Sequence, residues 1–392
     1  MQFNDYLANL QSTTLRPISK MEFLNWDGTV AFAVSSFDYL VGGTVSVHYQ
    51  DGCRRTASVT LDNWARLYES NINKIWYGQQ IKISAGLLLE DGTPYYIPQG
   101  VFYITNPRVV FNPSERTTTL ELSDKWCVLD GTIAGNLDGI YILPVNENIF
   151  EGISALLKLD RGDGHPFDNM EPLLDSYYMN TYSTLWDGRS VSNILVPYTS
   201  RINYTQTYAD VLLEMNTMLV STMGYDIAGR LVVQSAQADL LDSNKPVVYH
   251  LRADDGSLIE FDKSTSYETI YNEVVVIGAN INGRIARGIA QNKNPFSPSA
   301  IGNSFTKRLT EEQPKYYADR DCQVLAEYRL KQYTAAQDAV SVTCMPLYHL
   351  RENQLVQITV GEVQPTPYLV NGFNLPLGNG TMTINCVSLN QL

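Results

Sequence analysis

The chain has 392 residues, 44% of them hydrophobic, and a formal net charge of −13 with a pI of about 4.8. That length suggests two or three domains of about 100–200 residues, and the apolar content supports a real core, which excludes global disorder. The acidic balance, with no Lys/Arg run of five or more, argues against stable binding to duplex DNA, because gripping phosphates takes clustered cations.

Residues 1 to about 14 are polar and read as a flexible arm without a signal-peptide pattern. No apolar run approaches the roughly 20 residues that span a bilayer, so a soluble protein is expected. From Arg16 to Leu129 the chain reads as β. Val45, Val47 and Tyr49 alternate with Thr44, Ser46 and His48, and Ala57, Val59 and Leu61 keep that spacing. Asp62 is a good cap for a short helix over 63–70. Ile81, Ile83, Ala85 and Leu87 form another face, and Asp91-Gly92 signals a turn. Val101–Thr105 and Thr117–Leu122 follow, separated by a turn at Asn112-Pro-Ser-Glu115.

From Asp130 to about Lys245 the period changes. Ile149, Phe150, Ile153, Leu156 and Leu157 have helical spacing within Glu147–Leu159. A loop-rich stretch, 160–204, precedes a second helix. Thr207 caps it, with Asp210 near its positive end, and Val211, Leu212, Met215, Leu219 and Met223 share a face. Gly224 reads as its stop. Tyr225–Val233 then reads as a hairpin turning near Ala228-Gly229.

β structure returns from Pro246. Tyr271–Ile277 is apolar on both faces, as in a buried strand. The polar stretch Asn280–Pro314 exceeds the roughly 12–15 residues of a plain connection, so it reads as a functional or disordered loop. An amphipathic helix over about 318–333 follows, with strands over 340–344, 356–360, 368–373 and 382–389. The expected fold class is mainly β (α+β). Two tube-type antiparallel β-barrel-like domains, 1–130 and 246–392, flank a mixed α/β insertion, 131–245.

Few motifs carry chemistry. Cys53, Cys127, Cys322, Cys344 and Cys386 are odd in number and lack C-x-x-C spacing, so free thiols are expected. His48, His165, His250 and His349 lack paired spacing, which leaves a zinc hydrolase unsupported. Neither a nucleotide-binding P-loop nor a serine-hydrolase elbow occurs. Asp160-Arg-Gly-Asp-Gly-His165 lacks the ligand spacing of a calcium loop and reads as a solvated turn. No cofactor, metal or catalytic residue is therefore assigned. Asp163, Asp168, Glu171 and Asp175 lie where a carboxylate pair for glycan cleavage would have to come from. Tyr177, Tyr178, Tyr182 and Trp186 are the aromatics a glycan-binding module would use. Arg284, Arg287, Lys293, Lys307 and Arg308 make one segment locally basic, either a solvated loop or a docking segment for an acidic neighbour.

An internal echo links the two β regions. Gln80–Gly86 parallels Gln354–Gly361, Pro94-Tyr95 parallels Pro367-Tyr368, and Thr117-Thr-Thr-Leu-Glu-Leu122 parallels Thr381-Met-Thr-Ile-Asn385. Such hairpins also arise by chance, so spacing leaves duplication and coincidence both open.

Three segments in this order resemble the baseplate hub, or tail-tip hub, proteins of long-tailed bacteriophages and phage-like particles. They are the β region ending in Thr117-Thr-Thr-Leu-Glu-Leu-Ser-Asp-Lys-Trp126, the stretch Tyr208–Met215 through Met223–Ile227 and Gly229–Val232, and Tyr271–Val276 with its helix and closing strands. The hub domain of type VI secretion spikes is similar in plan. The resemblance covers most of the chain and rests on the order of parts. It implies a structural homotrimer, a late virion protein assembled in the host cytoplasm. Three subunits, each with two tube domains, would make a ring of six that adapts a six-fold tail tube to a three-fold spike. The implied partners are the tail tube protein, the central spike, the tape measure protein and other baseplate subunits. Any cell-wall cutting is then expected on another chain. An acidic chain also suits a channel wall, which should repel passing DNA.

Overall fold

A computed structural model describes residues 2–11, 14–64, 66, 75–76, 78–174, 182–184, 190–192, 194–196, 198–235, 245–265, 268, 270–335, 338–361 and 364–388. Helix α1 (Gln2–Leu10) precedes β1 (Pro17–Leu24), β2 (Val30–Ser35), β3 (Leu40–His48), β4 (Arg55–Asp62), β5 (Gln80–Leu88), β6 (Pro94–Asn112) and β7 (Glu115–Asp124). A 3-10 turn over Lys125–Val128 opens the insertion. It continues through β8 (Tyr141–Leu143), α2 (Ile149–Leu157), β9 (Leu173–Leu174), β10 (Tyr182–Thr184), β11 (Ser190–Ser192), β12 (Ser200–Ile202), α3 (Tyr208–Leu219), β13 (Ser221–Tyr225) and β14 (Leu231–Ser235). The last part holds β15 (Val247–Arg252), β16 (Leu258–Thr265), β17 (Glu273–Ile281), β18 (Arg284–Gln291), β19 (Arg308–Glu312), α4 (Asp319–Ala335), β20 (Asp338–Cys344), β21 (Leu355–Thr359), β22 (Thr366–Pro376) and β23 (Met382–Ser388).

The fold is mainly β. One large sheet runs β16-β20-β23-β22-β3-β4-β7-β6-β5-β1-β2, with β21 also on β22 and β15 on β21. The β segments from the two ends of the chain therefore join, through β3 and β22, and share one apolar core that includes Phe23, Val45, Val59, Phe102, Val342 and Phe373.

Within this sheet a five-strand order occurs twice, β5-β6-β7-β4-β3 and β21-β22-β23-β20-β16. Two of its irregularities match as well, while the β5–β6 shift between Ile83 and Ser84 has no counterpart between β21 and β22. The β6–β7 ladder shifts register between Ile104 and Asn106, and the β22–β23 ladder between Val370 and Gly372. The β3–β4 ladder shifts between Leu40 and Gly42, and the β16–β20 ladder between Leu258 and Glu260. Superposing these bulges carries one transverse row, Pro107–Leu120–Val59–Gly43, onto Phe373–Ile384–Val342–Phe261. The residues skipped at the second bulge, Val41 and Ile259, are both exposed. Bulges reset which side chains face inward, so shared positions mean a shared pattern of burial. The closing-strand echo is in true register, with Leu120 on Ile384. The Pro-Tyr echo is not, because Tyr368 falls on Phe102 and not on Tyr95. Outside the five strands the units differ: β1 runs antiparallel to β5, whereas β15 runs parallel to β21.

The insertion builds its own core from α2, α3, the 3-10 turn and short strands, with Trp126, Phe150, Ile153, Leu212 and Met215 buried. The cap of α3 is as expected. Thr207 Oγ1 accepts the Asp210 N–H at 3.3 Å, and the Asp210 carboxylate accepts the Thr207 N–H at 2.8 Å. The helix ends earlier than expected, though. Val220 turns left-handed (φ 49°), and Met223 and Gly224 belong to β13. Asp51 and Gly52 hold that strand, through the Asp51 carboxylate on the Met223 N–H (2.8 Å) and the Gly52 N–H on the Met223 carbonyl (2.9 Å). The helix expected over 63–70 lies mostly outside the described residues.

Two expectations need correction. The polar stretch 280–314 is not one loop. It contains β18 and β19, which flank the buried β17. The inward positions of β18 are Ala286, Gly288 and Ala290, too small to read as an apolar stripe. They let α4 lie close: a Cβ on Gly288 would fall 2.2 Å from the Cys322 backbone. Nor is the N-terminus an arm, because α1 buries Tyr6 and Leu10 completely or nearly so. Tyr6 hydroxyl lies 3.0 Å from His349 Nδ1, and Phe3 meets the His349 ring edge-on.

Burial, aided by the nearby Arg351 charge, pushes His349 from 6.5 down to about 4. A depressed histidine makes the unfolded chain the better proton binder between those values. Stability is then full above pH 6.5 and declines as pH falls toward about 4. The thermal midpoint should drop across that window, and His349→Gln should flatten the drop. An unchanged slope in the variant would separate His349 from the effect.

Candidate assembly surfaces

Buried charges fix how the parts meet. Arg55 of β4 donates from Nη2 to both Glu352 oxygens, at 2.6 and 2.5 Å, and from Nη1 to the Tyr225 carbonyl at 2.9 Å. One guanidinium thus ties the first β unit, the second β unit and the insertion. Burial acts to raise Glu352, but the Arg55 charge outweighs it and holds the carboxyl below its ordinary range. Asp124 Oδ2 accepts the Arg54 and Arg55 N–H groups at 2.8 and 3.0 Å. Its near-complete burial nevertheless raises it. Lys125 Nζ meets Asp168 Oδ1 at 2.9 Å, both buried.

These pairs account for residues that sequence reasoning weighed as catalytic. Asp168 is bound to Lys125. Asp163 pairs with Arg161 at 2.8 Å, and Glu171, largely exposed, pairs with Lys158. Asp175, Tyr177, Tyr178 and Trp186 lie outside the described residues, and Tyr182 is described only as part of β10. Among the described residues no group of three His, Cys, Asp or Glu could hold a metal. No helix there is long and apolar enough to cross a membrane.

The basic segment is spread over two strands and the loop between them. Arg284 pairs with Asp319 at 2.8 Å, and Arg308 with Glu273. The Arg287 N–H donates to Asp319 Oδ1 at 3.0 Å, and Lys307 Nζ donates to the Glu268 carbonyl at 2.6 Å and lies 5.0 Å from the Tyr271 ring centre. Lys293 is exposed. The loop, 292–307, is braced from within. Asn272 Nδ2 donates to the Ser299 and Phe305 carbonyls (3.1 and 2.7 Å), Asn292 Nδ2 to the Ser297 and Ser299 hydroxyls (3.0 Å each), and Asn303 Nδ2 to the Pro295 carbonyl (3.0 Å). This scaffold presents Phe296 and Phe305 at 92% and 94% exposure. Sequence reasoning missed both, although a Phe set between two prolines was the available signal.

The large sheet supplies a second kind of surface. Among the described strands, β16 has β20 as its strand neighbour, and the distal half of β6 has β7. Each leaves one edge for another strand.

No protein-family model and no curated protein matches the sequence. Solved structures do. A tail protein from Neisseria meningitidis superposes with a TM-score of 0.63 at 10% identity, covering 95% of this chain and 96% of that one. The chain has the fold of phage tail proteins. The 43 kDa tail protein of prophage MuSo2 from Shewanella oneidensis gives 0.59 at 11% identity, over 94% and 98%. The Francisella PdpA–VgrG complex, half-lidded, gives 0.55 at 10% identity, covering all of this chain and 61% of that one. The mainly β class is the one expected from the sequence.

Removing one partner of the Arg55–Glu352 pair strands a buried charge. Arg55→Met should cost about 3–5 kcal/mol in chemical denaturation, and Arg55→Met with Glu352→Leu should recover much of it. A single variant as stable as the parent would show that the pair does not hold the junction.

Proposed function

We propose that this chain is a structural baseplate hub of a phage tail or phage-like particle. One observation carries the reading: a five-strand unit repeated with two of its bulges at the same positions, inside a chain that follows the fold of phage tail proteins over 94–95% of its length. Two equivalent units per chain turn three chains into a six-unit ring, which suits an adaptor between a six-fold tail tube and a three-fold central spike. Its boundaries follow the proposed domains 1–130, 131–245 and 246–392. The role is assembly in the tail and not catalysis, with the tube protein, spike, tape measure protein and other baseplate subunits as neighbours. The net charge of −13 favours a bore that repels DNA. The purified chain should have the native mass of a trimer, three times 44.0 kDa. A stable monomer at all concentrations would overturn the hub, and a monomer that binds sugar would favour the glycan-binding reading instead.

The braced loop is the docking element of this reading, with Phe296 and Phe305 as apolar anchors and Arg284, Arg287, Lys293, Lys307 and Arg308 as the charge that selects an acidic neighbour. Phe296→Ser with Phe305→Ser should change stability by no more than about 0.5 kcal/mol, since both rings are already in water. The same variant should fail to enter tail particles in a complementation assay. Normal incorporation would remove the loop from the interface.

A further inference from the structure

The junction inside the chain has an open counterpart. β3 lies along the distal half of β22, pairing Val45 with Leu375, Ser46 with Asn374 and Val47 with Phe373. The Leu377 N–H to the Gly43 carbonyl (2.9 Å) and the Tyr49 N–H to the Asn371 carbonyl (2.7 Å) extend the ladder at both ends. In the bulge-matched frame β16 corresponds to β3 and β6 to β22. Each of β16 and β6 has a remaining edge that no described strand covers. Side chains record the difference. Leu375 and Leu377, under β3, are 0% and 1% exposed, whereas their counterparts Val109 and Phe111 are 43% and 65% exposed. The same positions are apolar in both units, and one pair lacks its cover.

We propose that β16 of one copy of this chain adds, antiparallel, to the distal half of β6 on a second copy. The internal register transfers directly. It sets Ser264 opposite Arg108, Asp262 opposite Val110 and Phe261 opposite Phe111. Phe261 and Phe111 then meet on the face that is core at the internal junction. Arg108 lies diagonal to Asp262, a favourable cross-strand pair. Pro107 corresponds to Phe373, whose backbone bonds toward β3, so the ladder forms with one donor fewer. The contact is head-to-tail, with different surfaces on the two copies, and such contacts close into rings or run on as filaments. Closure after three copies rests on the trimer reading above.

Cysteine cross-linking tests the register. Ser46 and Asn374 form a non-hydrogen-bonded pair, the type whose Cα atoms lie about 4.5 Å apart, within disulfide range. Arg108→Cys with Ser264→Cys should therefore link copies on mild oxidation into covalent dimers and trimers, seen without reductant by denaturing electrophoresis. Arg108→Cys with Glu260→Cys, four residues out of register, should not. Val109→Lys, at an already exposed site, would face Lys263 in this register, and the like charges should dissociate the native trimer without lowering the thermal midpoint of the chain. A native trimer that fails to link at 108 and 264, or links equally through 260, would overturn the strand pairing and leave the hub standing. A monomer at every concentration would overturn both.

Discussion

The bulged register of the five-strand unit is the constraint on which the rest depends. A strand has period two, so one residue of slip turns every core side chain outward. Ile104/Asn106 with Val370/Gly372, and Leu40/Gly42 with Leu258/Glu260, break that period at the same places in both units. The breaks decide which residues face the common core and where β3 can meet β22. Val45, Val47, Phe373 and Leu375 interdigitate there because both bulges have already been taken. Shifting one bulge would misplace the junction and the core together.

Polar groups then fix what apolar packing leaves loose. Hydrophobic contact between two sheets is tolerant of sliding, whereas Arg55 is not. It must reach Glu352 and the Tyr225 carbonyl at once, from a backbone whose own N–H is held by Asp124. A buried pair of this kind contributes little net stability over an apolar substitute. Its value here is geometric, because β4, β13 and the turn at Glu352, far apart in sequence, come to one guanidinium.

How much of this was legible depended on side-chain size. The β character, the insertion helices, the Thr207–Asp210 cap and the strand at 273–277 were readable because Val, Ile and Leu mark a period plainly. The closing-strand echo was in register because Leu120 and Ile384 occupy the same inward position. The Pro94-Tyr95 echo misled, since proline marks an edge or a turn and carries no register. β18 was hidden by Ala286, Gly288 and Ala290, which are small for the sake of α4 and so weigh little in any hydrophobic pattern. α1 was hidden because two buried residues, Tyr6 and Leu10, stand among polar neighbours, and His349, the partner of Tyr6, lies at the other end of the chain. The basic cluster was visible, but the exposed Phe296 and Phe305 beside it were not, because exposure is decided by the Asn272, Asn292 and Asn303 bracing that only folding brings together.

A repeated unit within one chain also explains why the molecule differs from itself where it does. The shared five strands carry junctions, and a junction that must recur keeps these bulges and the apolar positions Val109 and Phe111 that match Leu375 and Leu377, although Lys263 and Thr265 stand where β3 has Val45 and Val47. What lies outside those strands is free to diverge: β1 against β5 is antiparallel, β15 against β21 is parallel, and the two inserted bodies follow different strands of the repeat. In the proposed ring, features of the shared strands occur six times and features outside them three times. A surface made mainly from the first would meet a six-fold partner, and one made mainly from the second a three-fold partner. The symmetry step therefore needs no separate adaptor element. It follows from duplicating a strand unit and then letting only its periphery change.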